Sequence, residues 1–214
     1  MIKAILGKKL RMSQIFDKNG KPVPVTLVSA GPCFVTRVMT KEKDGYEAVQ
    51  LGFENAKKLN KPEQGHLQKI QNPKIKNQNE NLKLKNLREF KTDNTDEIKL
   101  GDEINTSVFK EGDEVKITAI SKGKGFAGVI KRHGFHRGPE THGSDHHRHP
   151  GSIGSMFPQH VVKGRKMPGH MGTEQVTIKK AKIVKVIPET NIIMIKGAVP
   201  GANKGLVKIF TEEK

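Results

Sequence analysis

The sequence predicts a mainly β body, interrupted by one long irregular cationic insertion and by a shorter, partly helical excursion. Three observations carry that expectation. Short apolar segments with period-two alternation recur in both halves of the chain, punctuated by Gly, Pro, Asn and Asp. Residues 122–172 break that pattern, with 11 of the 22 glycines, 8 of the 9 histidines, and nine Lys/Arg against only Glu140 and Asp145. Residues 56–95 break it differently, through a run of Lys, Asn and Gln with few β-branched side chains.

In chain order, residues 1–55 read as β. Lys21–Val28 alternates Val23, Val25 and Leu27 with polar or proline positions, and Asp17-Lys-Asn-Gly20 before it is hairpin chemistry. Ala30-Gly-Pro32 is a break, followed by strands over Cys33–Met39 and Tyr46–Phe53 around the charged turn Lys41–Gly45. Within the excursion, Leu59–Pro62 and His66–Ile70 are candidate short helices, while Asn81–Phe90 mixes both periodicities. Ile98–Asp102 and Phe109–Asp113 are paired turns feeding strands over Glu103–Val108 and Glu114–Ser121. After the insertion come strands over Glu174–Val186, Ile192–Lys196 and Leu206–Phe210, with turns at Pro188–Asn191 and Gly197–Gly205. Short strands at this spacing suit a barrel or a sandwich. The expected division is a body of residues 1–121 and 173–214, with 122–172 inserted between two of its strands.

The formal net charge is +17, from 39 Lys+Arg against 22 Asp+Glu. It divides as +6 over 1–121, +7 over 122–172 and +4 over 173–214, so many faces are suited to phosphate. No basic amphipathic helix and no window near 18 apolar residues are present, so neither a membrane surface nor a membrane span is expected. Aromatics are 5% of residues, which argues against base stacking as the chief mode of binding. One cysteine, Cys33, excludes an internal disulfide; with an apolar start too short for a secretory signal, it points to the cytoplasm. Only 12 of the 51 residues in 122–172 are apolar, too few to build a core alone. Such a segment is either disordered or folded against a polyanion.

Chemistry is suggested by several motifs and then weakened by context. Gly123-Lys-Gly125-Phe-Ala-Gly128 has the letters of a dinucleotide loop, but the glycine-broken Lys131–Gly138 follows it, with no helix and no acidic strand end. Its glycines read better as sites of close backbone approach to phosphate, with Lys122 and Lys124 supplying charge. The histidines suggest zinc or iron, yet no cysteine and only two carboxylates accompany them, and neighbouring cations repel a metal. No metal and no cofactor are therefore expected. Imidazole and guanidinium groups here suit unpaired RNA bases and phosphate instead. Ser144-Asp145-His146 are sequence neighbours, which is not how a catalytic triad is assembled. Lys163, Arg165 and Lys166 form a second cationic cluster among Gly164, Pro168, Gly169 and Gly172.

Taken together, Ser121–Gly128, Lys131-Arg132, Thr141–Gly143, His149–Gly154, Val162–Gly172 and Lys196–Gly201 closely resemble the bacterial large-subunit ribosomal protein three family. Gly7–Met12 and Asn60–Pro62 fit as well, so the resemblance runs through essentially the whole chain. It implies a small closed β-barrel like that of translation proteins, with an insertion running through ribosomal RNA toward the peptidyl transferase centre. It further implies a role in nucleating subunit assembly, neighbouring large-subunit proteins as partners, no small-molecule substrate, and no catalysis by the protein. By position, Lys122, Lys124, Lys131, Arg132, His142, Lys163, Arg165 and Lys166 become rRNA-contact candidates. His133, Arg137 and Arg148 complete the set. Some family members carry a methylated glutamine after the position of Gly154. Here Ser155–His160 is a residue shorter and Gln159 falls out of register, so no such methylation is expected. Two alternatives stand beside this reading: a metal-dependent RNA-processing enzyme using the histidines, and a non-ribosomal RNA chaperone.

Overall fold

The computed structural model describes residues 3–68, 83–92 and 98–211. The chain divides into two compact units, one formed by Met1–Ile120 with Gln175–Lys214 and the other by Ser121–Glu174.

In the first unit, β1 (Ala4–Phe16) and β2 (Pro22–Ala30) form a hairpin. At its turn the Gly20 amide donates to the Asp17 carbonyl at 2.8 Å, and Gly20 adopts φ 73°. β3 (Cys33–Met39), the one-turn helix α1 (Lys41–Asp44) and β4 (Ala48–Asn55) follow. The charged turn expected at Lys41–Gly45 is thus a helical turn, closed by Gly45 in the left-handed conformation. The excursion contains α2 (Lys61–Gln68) and then β5 (Leu84–Lys91), an edge strand along β4. Within the mixed-period stretch Asn81–Phe90, residues 84–90 lie in this strand, whose Leu84 and Phe90 are buried and whose other side chains lie half or fully open, while 81 and 82 fall outside the described residues. The last two residues of the second candidate helix, 69 and 70, fall outside the described residues.

The two Gly-Asp turns are wired alike. Asp102 accepts from the Lys99 amide at 2.9 Å, and Asp113 from the Lys110 amide at 3.1 Å. Gly101 and Gly112 supply the positive φ, at 84° and 91°. Only Glu103–Ile104 of the strand expected over 103–108 pairs with β3, as β6. Thr106–Val108 coils into a 3₁₀ turn, with the Phe109 amide donating to the Thr106 carbonyl. β7 (Glu114–Ile120) then returns to the body.

Two short strands, β8 (Phe126–Ala127) and β9 (Gly169–His170), belong to the second unit and flank α3 (Val129–His133). The body resumes with β10 (Gln175–Ile187), β11 (Ile192–Lys196) and β12 (Leu206–Phe210). Six strands close an antiparallel barrel in the order β1-β12-β7-β10-β11-β2, and β5-β4-β3-β6 form a separate sheet. Closing so few strands demands strong local bending, supplied by register shifts between Lys9 and Met12, Ile178 and Ala181, and Ile183 and Lys185.

Barrel and sheet share one core. Ile5, Leu6, Val28, Ile117, Ile183, Ile193, Ile195 and Ile209 of the barrel cluster with Cys33, Val35, Val49, Leu51 and Phe90 of the sheet. The Phe90 and Phe210 rings meet edge to face at 6.0 Å. Lys208 lies over Phe90 at 4.7 Å and donates to the Glu89 carbonyl at 2.7 Å; partial burial holds its ammonium pKa below the usual lysine range. Gly7 is required by packing, since a Cβ there would lie 2.7 Å from the Ser29 carbonyl oxygen. Cys33 exchanges weak bonds with the Leu6 amide and carbonyl, and burial pushes its thiol up to about 12. It is a core residue that stays protonated at neutral pH.

The loop after β11 is pinned from inside. Lys9, only 8% exposed, donates Nζ to the Val199 carbonyl at 2.6 Å and to the Gly201 carbonyl at 3.1 Å. Thr26 Oγ1 donates to the Gly197 carbonyl at 2.6 Å.

Candidate nucleic-acid interface

The chain leaves β7 at Ile120 and returns to β10 at Gln175, and these two residues are register partners. The second unit therefore starts and ends on adjacent strands. Its neck is a short ladder. The Ser121 amide donates to the Glu174 carbonyl at 2.8 Å, Lys124 to Met171 at 2.9 Å, and Met171 to Gly125 at 3.0 Å. Beyond it β8 pairs with β9.

Glycine makes this neck possible. Gly172 has φ 82°, and a Cβ on it would collide with the Lys122 carbonyl oxygen. A Cβ on Gly123 would lie 3.0 Å from Thr173 Oγ1. The glycines at 123 and 125 of the G-x-G-x-x-G letters thus lie where the insertion's own two backbones approach each other. Gly128 precedes a single turn of helix, too short for a nucleotide fold.

The eleven candidate residues fall into two groups. Four are tied within the unit. Arg132 donates Nη1 to the Met167 carbonyl at 2.7 Å, and His133 Nε2 lies 3.0 Å from the same oxygen. Both are half-buried and join α3 to the strand returning through β9. Arg137 pairs with Glu140 at 2.6 Å in the open, an interaction worth little in water. Arg165 donates Nη2 to the Ser152 carbonyl at 2.6 Å and clasps the loop 153–164 at its base. The remaining seven, Lys122, Lys124, Lys131, His142, Arg148, Lys163 and Lys166, are exposed. Among the described residues they have no side-chain hydrogen bond or ion pair with the protein. An unpaired lysine or arginine in water gains nothing from its own fold, so its charge is available to an anion.

Sequence reasoning missed the internal acceptors. The Met167 and Ser152 carbonyls carry no compositional signal, because any residue has a carbonyl. The His146 and His149 rings lie 5.3 Å apart and tilted by 56°, and His147 Nδ1 lies 2.9 Å from the Pro139 carbonyl oxygen. Among the described residues no three His, Cys, Asp or Glu side chains group as a metal would need, and no helix is long and apolar enough to cross a membrane.

A closed barrel that carries an acid-poor, cationic inserted unit suits a nucleic-acid-binding protein. Comparison with known proteins gives the particular family. The model of the family described as ribosomal protein L3 matches residues 88–191. The large ribosomal subunit protein uL3 of Heliobacterium modesticaldum is 52% identical over 214 residues, covering 99% of this chain and 98% of that protein. Those of Carboxydothermus hydrogenoformans and Listeria welshimeri are 49% and 50% identical, covering 98% and 100% of this chain and 97% and 99% of theirs. The chain belongs to the ribosomal protein L3 family, uL3, and is a structural, non-enzymatic constituent of the large ribosomal subunit. The metal-dependent enzyme reading gives way to it.

Proposed function

We propose that the unit Ser121–Glu174 binds large-subunit rRNA directly, through Lys122, Lys124, Lys131, His142, Arg148, Lys163 and Lys166. The supporting observation is that these seven groups are exposed and unpaired on a scaffold fixed by its neck, by Met167 and by the Arg165 clasp. Tethering at both ends lets such a unit be aimed, which a basic tail cannot be. By its resemblance to the family, the insertion runs toward the peptidyl transferase centre and the protein joins the subunit early, helping to nucleate assembly. It does so in cytoplasmic ribosomes, beside neighbouring large-subunit proteins. Arg132, His133 and Arg165 act here mainly as fasteners that hold the binding surface in shape.

The test is the salt dependence of binding to large-subunit rRNA extracted from bacterial ribosomes. Changing Lys122, Lys124, Lys131, Lys163 and Lys166 to Gln should weaken binding. It should also lower the slope of log K against log salt by about 0.7–0.9 for each phosphate that is no longer neutralised. A slope equal to that of the unaltered protein would contradict the proposal.

A further inference from the structure

We propose that Phe157, beside Met156 in the clasped loop of the insertion, stacks on unpaired bases of the rRNA; this rests on the rRNA-binding reading above. Both side chains stand in water, Met156 at 80% and Phe157 at 69% of full exposure. Ile153, Val161 and Val162 of the same loop are exposed too. Leaving so much apolar surface in water is unfavourable, and exposed apolar groups gathered in one loop mark a site of interaction. Among the described residues no aromatic ring packs against Phe157.

The loop has some internal order. The Arg165–Ser152 bond closes its base, Ser152 Oγ donates to the Gly154 carbonyl at 2.7 Å, and Ser155 Oγ donates to the Phe157 carbonyl at 2.7 Å. The last of these bonds fixes the backbone beside the exposed ring, which reduces the entropy given up when the ring is covered.

Charge selects the occupant. From His146 to Thr173 the chain has no Asp or Glu, while Arg148, Lys163, Arg165 and Lys166 lie in the same stretch. An apolar tip inside an acid-free cationic surface fits a partner that offers both phosphate and flat apolar faces. Unpaired RNA bases do so; a paired duplex exposes its phosphates but keeps its base faces stacked. The low aromatic content of the chain argues against stacking as the main source of affinity, and one ring at one loop is consistent with that. Its role is to choose where along the RNA the loop settles.

The experiment measures binding of the full-length protein to extracted large-subunit rRNA, with chemical probing of base accessibility. Phe157→Ala should bind about 5- to 150-fold more weakly, the range expected when one base stack is removed, with an unchanged salt slope and an unchanged melting temperature. Phe157→Tyr should restore binding, and Phe157→Leu should restore it only in part. One or two unpaired bases protected by the unaltered protein should become reactive with Phe157→Ala. Wild-type affinity in Phe157→Ala, or full rescue by leucine, would overturn the stacking proposal while leaving the lysine-dependent slope intact. If the lysine variant also leaves the slope unchanged, the rRNA-binding reading itself fails.

Discussion

Lys9→Met is expected to destabilise the barrel by about 2–4 kcal/mol, because two carbonyls in an enclosed site are deprived of a charged donor at once. The ammonium of Lys9 holds the Val199 and Gly201 carbonyls, and its backbone exchanges bonds with Lys204 and Gly205. Gly201 in turn lies so close to Ile120 that a Cβ on it would be 2.7 Å from that carbonyl oxygen. The loop 197–205 is thus seated between β1 and the end of β7, and Lys9 is what fills the polar space beneath it. The neighbouring Lys8 is the natural control. It pairs with Glu54 at a site where both side chains remain partly open, so Lys8→Met removes the same charge and should cost under about 1 kcal/mol. Thermal unfolding of the two variants separates a buried latch from a general reduction of positive charge. Equal melting temperatures would refute the latch.

Gly172→Val is expected to break the neck of the insertion while leaving the barrel's melting transition in place. Two costs add at that position. A β-branched residue is strained at φ 82°, and its Cβ would meet backbone atoms of Lys122 and Gly123, which cannot swing aside. The ladder from Ser121–Glu174 to Lys124–Met171 should open, at a local cost of about 2–4 kcal/mol. Hydrogen exchange reads this directly. The amides of Lys124 and Met171 should become unprotected, while those of Ile117 and Ile209 stay protected. Gly128→Ala is the comparison, since Gly128 has φ −68° and open space around it, and should leave exchange unchanged. Protection of Lys124 and Met171 in the valine variant would show that the neck does not depend on this glycine.

The two variants also show what the sequence could and could not reveal. β3, β11 and β12 were legible to the residue because each is a short apolar run bounded by turn residues, and β11 and β12 alternate cleanly with one face in the core. β1 was not singled out, since Ala4, Ile5 and Leu6 are all buried and consecutive burial hides the period of a strand. β5 was obscured by Lys, Asn, Arg and Glu side chains that an edge strand can turn to water. The charge of the insertion was plain from composition. Which cations are spent internally was not, because Arg132 reaches a carbonyl 35 residues away, and such pairings are fixed only by the fold. The exposure of Phe157 was likewise invisible, since a phenylalanine is ordinarily assigned to a core.

Direct binding of rRNA by the insertion is tested most closely by crosslinking in intact large subunits. A photoreactive side chain is placed singly at positions 122, 124, 131, 163 and 166, and at Lys57 of the body for comparison. Each of the five insertion positions should crosslink to large-subunit rRNA. Crosslinks from those positions to protein alone, or none at all, would contradict direct binding.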